Sequence, residues 1–208
     1  MTRWDRDDVR VDASEYASRF DDAEASGDEV HGEAALCDAL LGRPSRVLDA
    51  GCGHGRVAIR LAALGHDVVG VDAAPDMVAL ARTLSTSVRW LDGDLVALDV
   101  LDLGAPFDLV VAAGNVVPLL EPGTEPRAVA QMASVLAPGG LLLAGFGLDA
   151  DHLPLDDAPF ALTDYDHWCA GAGLRPLERW SGWGQEPWDG GSYAVSLHAR
   201  PGDGVGED

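Results

Sequence analysis

From residue 47 onward, short apolar runs alternate with longer stretches whose apolar residues recur every three or four positions. Val47 and Leu48, closed by Asp49, read as a buried strand. Residues 66–74, with Val68, Val69 and Val71, read as a second, and Val88 to Leu91 as a third. Residues 107–114 and 141–147 supply a fourth and a fifth. Runs without polar alternation belong in a parallel sheet covered on both faces. The stretches between them predict helices over 56–64, 75–81 and 126–137, the last stopped by Pro138-Gly139-Gly140. Pro75 sits where a first helical turn favours proline. Upstream, residues 31–42 predict a helix ended by Gly42 and Pro44, and 13–20 a short one with Tyr16 and Phe20 on one face. Downstream, a helix over 162–174 precedes two strands, 174–183 and 192–200, whose hairpin-like pairing introduces an antiparallel strand.

The chemistry gathers where the predicted strands end. After Asp49 come three glycines at alternate positions, Gly51, Gly53 and Gly55, and then the helix. Glycines at such a turn permit positive φ and let backbone N–H groups approach a ligand. The helix N-terminus beyond offers unpaired donors. The dinucleotide fingerprint G-x-G-x-x-G would need glycine at position 56, where Arg56 stands. Asp49 either faces a cationic part of a ligand, directly or through water, or caps the helix and orders the turn. Asp72 ends the second strand near the spacing at which Rossmann-like folds bring a carboxylate to ribose hydroxyls. Asp94 follows the third strand, and Asn115 the fourth.

This ordered set resembles class I S-adenosylmethionine-dependent methyltransferases over about residues 30–200. DAGCGHG, with Asp49, Gly51, Cys52 and Gly53, is similar to the loop around the methionine part of the donor. VVGVDAAPDM is similar to the second motif, which implies Asp72 on the ribose and Ala73 and Met77 beside the adenine. GDL is similar to the third, implying Asp94 on the adenine amino group with the Leu95 backbone facing the ring. FDLVVAAGN is similar to the fourth, implying Ala113, Gly114 and Asn115 near the sulfonium. The resemblance implies an α/β fold, a Rossmann-like seven-stranded, mostly parallel sheet with one antiparallel strand near the C-terminus and helices on both faces. It divides the chain into an N-terminal cap segment (1–30), a donor-binding domain (31–200) and a tail (201–208) whose composition predicts disorder. The cofactor implied is S-adenosyl-L-methionine, and the reaction methyl transfer to a small molecule. The alternatives are an NAD-dependent oxidoreductase, which Arg56 disfavours, and a non-catalytic binding module.

Charge and composition narrow the acceptor. The 208 residues carry a formal net charge of -21, and every fixed cation is arginine. Without a basic cluster to neutralise phosphates, a nucleic-acid partner is not expected. The Pro-Pro-aromatic sequence that nucleobase amino methylases place after the fourth strand is absent, since Asn115 is followed by Val116, Val117 and Pro118. Cys37, Cys52 and Cys169 are scattered, as are the six histidines, so no metal site is expected. The charged N-terminus does not read as a secretory signal and no run approaches a membrane span, which makes a cytoplasmic monomer or homodimer the expectation. The acceptor side is expected from Asn115–Glu121, Gly147–Ala158 and Trp180–Gly191, with Trp180, Trp183 and Trp188, and from Tyr16, Phe20 and His31 of the cap. The tryptophans would otherwise shield the sheet edge. His31, His54 and His152 are the candidate bases.

Overall fold

The computed structural model describes residues 2–6, 9–26 and 30–202. Residues 203–208, most of the tail for which disorder is expected, lie outside the described residues, as do parts of the cap. Seven strands form one sheet: β1 (Arg46–Ala50), β2 (Asp67–Asp72), β3 (Arg89–Asp92), β4 (Phe107–Ala112), β5 (Leu136–Gly147), β6 (Arg175–Trp180) and β7 (Tyr193–Ala199). Their spatial order is β3-β2-β1-β4-β5-β7-β6. The first five pair in parallel, and β7 runs antiparallel to both β5 and β6. The expected single antiparallel strand is therefore present.

Each inner strand buries side chains on both faces, which is why its sequence is apolar without alternation. Leu48, Val69, Val110, Leu142 and Phe146 pack on one side, beneath α6 (Glu125–Ser134) and α7 (Leu162–Gly171). Val47, Val68, Leu109, Val111 and Leu143 pack on the other. That side lies beneath α2 (Gly32–Leu40), α3 (Arg56–Ala63) and α4 (Pro75–Leu84). The order reverses between β1 and β4, and ligands in such sheets bind beyond the strand carboxyl ends at that switch point.

Three boundaries differ from the sequence expectation. α6 stops at Ser134 and β5 already begins at Leu136. Pro138-Gly139-Gly140 is a bulge within the strand, anchored by Gly139 donating to the Arg200 carbonyl and Arg200 donating to that of Gly140. α1 (Ala13–Ala25) is longer than expected, capped by Asp12, whose Oδ1 accepts the N–H of Ser14 and Glu15. A short helix, α5 (Val116–Leu119), stands where a loop was expected.

Candidate functional site

Over the carboxyl ends of β1 to β4 lies a cleft, lined by most of the residues singled out in the sequence. Asp49, Gly51, Cys52 and Gly53 come from the β1 end, Asp72, Ala73 and Met77 from β2 and α4, Asp94 and Leu95 from behind β3, and Ala113 and Gly114 from behind β4. His54 also lines it.

The glycine loop is held from below. Gly51 and Cys52 donate their N–H groups to the Val71 carbonyl at 2.8 and 3.1 Å. Gly51, Gly53 and Gly55 all take positive φ, which glycine adopts without strain. The reasons differ along the loop. A Cβ on Gly51 would stand 2.6 Å from the Val116 side chain, whereas one on Gly53 would meet nothing within 4 Å. A Cβ on Gly55 would stand 2.3 Å from the Trp90 indole, which lies equally close to Gly70 of β2. Gly55 thus makes room for a tryptophan from β3 and not for a ligand.

Two carboxylates brace this loop. Asp49 is 2% exposed and its Oδ2 accepts the Ala58 N–H at 3.0 Å, so it caps α3 from the preceding strand while also lining the cleft. Burial pushes its pKa up to about 7 against the opposing Ala58 hydrogen bond. Asp72 accepts the Gly53 N–H at 2.7 Å and the Ala74 N–H at 2.8 Å, and burial raises its pKa too. Asp94 is exposed in the cleft, with Oδ1 accepting the Val96 N–H at 3.0 Å.

The sign of the Asp49 shift gives a testable pH dependence. Its folded pKa lies above the unfolded value of about 3.9, so its contribution to stability is full below that value. That contribution is lost as pH rises through the folded pKa of about 7. In urea titrations from pH 4 to 8, Asp49→Asn should lack the part of the downward slope that wild type shows up to pH 7. Equal slopes would count against a buried, neutral Asp49.

The N-terminal segment roofs the cleft. Arg3 donates to the Pro118 and Leu120 carbonyls at 3.1 and 2.7 Å and pairs with buried Glu125 at 2.8 Å. This brings Trp4 and Asp5 to the rim. Tyr16 and Phe20, one turn apart on α1, both contact the His54 imidazole at 5.6 Å between ring centres. Arg56 lies 4.5 Å over the Phe20 ring, bonds the Val30 carbonyl and forms a double ion pair with Glu33. Where a dinucleotide fold would have its third glycine, this chain has an arginine that ties Phe20 and Val30 to Glu33 of α2.

Several expected residues lie elsewhere. Asn115 is outside the cleft lining: its φ is 68°, and its side chain is turned to the loop after β5. His31 precedes α2, and His152 lies in the loop after β5. None of 147–158 or 180–191 lines the cleft. The Trp183 ring covers Gly145 of β5, with its Nε1 3.1 Å from the Tyr193 hydroxyl, and Trp180 is buried in β6. Arg179 lies over Trp188 at 5.5 Å. These tryptophans shield the C-terminal strands. Of the segments expected on the acceptor side, Asn115–Glu121 does reach the cleft, through Val116, Leu119 and Leu120, while Thr2, Trp4 and Asp5 are lining residues that sequence reasoning missed.

A family profile described as a methyltransferase domain matches residues 47–140, from β1 into β5. A solved TehB-like S-adenosylmethionine-dependent methyltransferase from Corynebacterium glutamicum superposes with a TM-score of 0.80 at 31% identity, covering 90% of this chain and 97% of that one. The chain belongs to the class I S-adenosylmethionine-dependent methyltransferases. Among curated relatives, a demethylmenaquinone methyltransferase of Thermus thermophilus is 39% identical over 111 residues, 50% of this chain and 48% of that protein. A ubiquinone biosynthesis O-methyltransferase of Xanthomonas campestris is 38% identical over 101 residues, 47% of this chain and 41% of that protein. The chain thus matches somewhat less than half the length of these curated methyltransferases. No helix among the described residues is long and apolar enough to cross a membrane.

The cleft suits the family's donor by its chemistry. Adenosylmethionine offers cationic ammonium and sulfonium groups, a cis-diol and an adenine amino group. The cleft offers carboxylates at Asp49, Asp72 and Asp94, and an apolar wall at Ala73, Met77 and Leu95.

Proposed function

We propose that this methyltransferase binds S-adenosylmethionine along the carboxyl ends of β1 to β4 and methylates a small molecule that enters beside Gly114. The observation carrying the proposal is the placement of Asp72 and Asp94 at successive strand ends beside the open backbone of Gly53. In this reading the Gly51–Gly53 backbone and Asp49 hold the methionine part, with Cys52 a small buried side chain behind the loop. Asp72 accepts from the ribose hydroxyls, and Asp94 accepts from the adenine amino group. Ala73, Met77 and Leu95 enclose the ring, and Ala113 and Gly114 border the sulfonium. Asn115 shapes the turn beside it. Residues 1–30 act as a cap over the domain at 31–200.

Bound adenosylmethionine supplies a methyl group already activated by its sulfonium. The protein's work is then to align the acceptor and to exclude water. Trp4, Tyr16 and Phe20 provide the apolar roof that keeps water out. The net charge of -21 supports a small-molecule acceptor over nucleic acid.

The test is transfer of label from methyl-tritiated donor to a panel of small hydroxyl, amine and thiol compounds. The expected result is a labelled small-molecule product. Donor binding with no transfer to any class would favour a binding module instead.

A further inference from the structure

We propose that the N-terminal segment completes the donor pocket, with the Trp4 indole stacking on the adenine ring; the inference rests on the donor-binding reading above. In that reading Ala73, Met77 and Leu95 enclose the ring, and all three come from the body of the domain. Trp4 lines the same cleft from the cap and is the one tryptophan among its described lining residues. It packs against the cluster of Ala13, Ala74 and Met77, with Tyr16 and Leu80 also against that cluster. Met77 is therefore shared between the adenine wall and the seat of the indole.

The aromatic roof is ordered as the donor is. The Tyr16 ring links its members, with its centre 5.8 Å from that of Trp4 and 5.4 Å from that of Phe20, both edge to face. Phe20 lies beside His54, in the glycine loop assigned to the methionine part. Trp4 instead joins the cluster that holds Met77, on the side assigned to the adenine. An adenine presents two π-faces, and the indole is the largest aromatic surface a side chain can set against one.

Three ties fix the backbone that carries the indole. Asp5 Oδ2 accepts the Thr2 N–H at 2.9 Å and the Thr2 hydroxyl at 2.8 Å, which closes the turn around Trp4. Arg3 fastens that turn to the end of α5 through the Pro118 and Leu120 carbonyls, and to α6 through Glu125. Arg10 pairs at 2.9 Å with Asp76, in the first turn of α4 and next to Met77. The segment is thus tied to both banks of the cleft, with Trp4 between the ties. Water exclusion alone would be served by any large apolar side chain, whereas stacking requires an aromatic ring. That difference separates a donor-binding residue from a covering one.

The test titrates two ligands, adenosylhomocysteine and 5′-methylthioadenosine, the second of which keeps the adenosine and lacks the amino-acid part. Affinity is read by calorimetry, and tryptophan emission is read in parallel. Trp4→Ala should lower the affinity for both ligands by the same factor, about five- to 150-fold, because the lost contact lies on the adenosine they share. Trp4→Phe keeps a stacking ring and should lose less than about threefold. Each ligand should change the emission of wild type, and Trp4→Phe should abolish that change, a readout that survives even if Trp4→Ala folds poorly. Unchanged affinity in Trp4→Ala, a loss confined to adenosylhomocysteine, or an emission change as large in Trp4→Phe as in wild type would each overturn the stacking role while leaving donor binding intact. Absence of binding of either ligand by wild type would overturn the functional reading itself, and the role of Trp4 with it.

Discussion

Gly55→Ala is expected to lower the melting temperature by about 4–24 °C, from backbone strain and packing inside the sheet in comparable parts and little from any ligand contact. Gly55 sits at φ 91° at the start of α3, and a Cβ there would stand 2.3 Å from one atom of the Trp90 indole and 2.9 Å from the next. Trp90 cannot easily retreat, because its ring is wedged between Gly55 and Gly70 and its Nε1 donates to the Ser85 carbonyl at 2.9 Å. A left-handed non-glycine residue costs about 1–3 kcal/mol. Overpacking a filled site adds roughly 1–3 kcal/mol. At about 2–4 °C per kcal/mol for a chain of this size, the sum gives the stated range. Gly53→Ala is the contrasting variant: it shares a positive φ, but its Cβ would enter open space. Scanning calorimetry should rank Gly55→Ala well below Gly53→Ala. A Gly55→Ala protein that melts within about 2 °C of wild type would contradict the packing role assigned to Trp90.

Asp72→Ala is expected to weaken adenosylhomocysteine binding by about a hundredfold or more. The carboxylate does two things at once in this structure. It holds the Gly53 and Ala74 N–H groups at 2.7 and 2.8 Å, which fixes the loop and the start of α4. It also lines the cleft, where a cis-diol would donate to its carboxylate oxygens. A hydrogen bond to a charged group contributes about 1.5–3 kcal/mol, so losing two ligand bonds corresponds to a loss in affinity of roughly two to four orders of magnitude. Asp72→Asn keeps one acceptor oxygen and should fall between wild type and Asp72→Ala. Unchanged affinity in Asp72→Ala, measured by calorimetry on folded protein, would remove the ribose role.

The sheet was legible in the sequence because strands buried on both faces leave uninterrupted apolar runs, and because an acidic or glycine residue punctuated each strand end. The residues of the cleft were legible for the same reason: Asp49, Asp72, Asp94 and Gly114 all sit at or just past strand ends, where a parallel sheet gathers them. What escaped depended on contacts between residues far apart in the chain. Nothing local to Gly55 shows that Trp90, from another strand, fills the space below it. Asn115 reads as a residue beside the sulfonium, yet its amide finds Gly147 and His152 across the neighbouring strand. Pro138-Gly139-Gly140 has the composition of a break between elements, but pairing with Arg200 carries the strand through it. α5 spans only Val116–Leu119, too short to show a helical period. For the tryptophans of the C-terminal loop the sequence left pocket wall and sheet edge both open, and contacts with Gly145, Tyr193 and Arg179 place them on the C-terminal strands.

The most direct test of the central claim is a calorimetric titration of the purified protein with adenosylhomocysteine, alongside an identical titration with NAD. The cleft chemistry predicts one molecule bound per chain for adenosylhomocysteine, a marked loss in Asp72→Ala, and no binding of NAD. Binding of NAD with none of adenosylhomocysteine would contradict the assignment of the glycine loop to the methionine end of the donor.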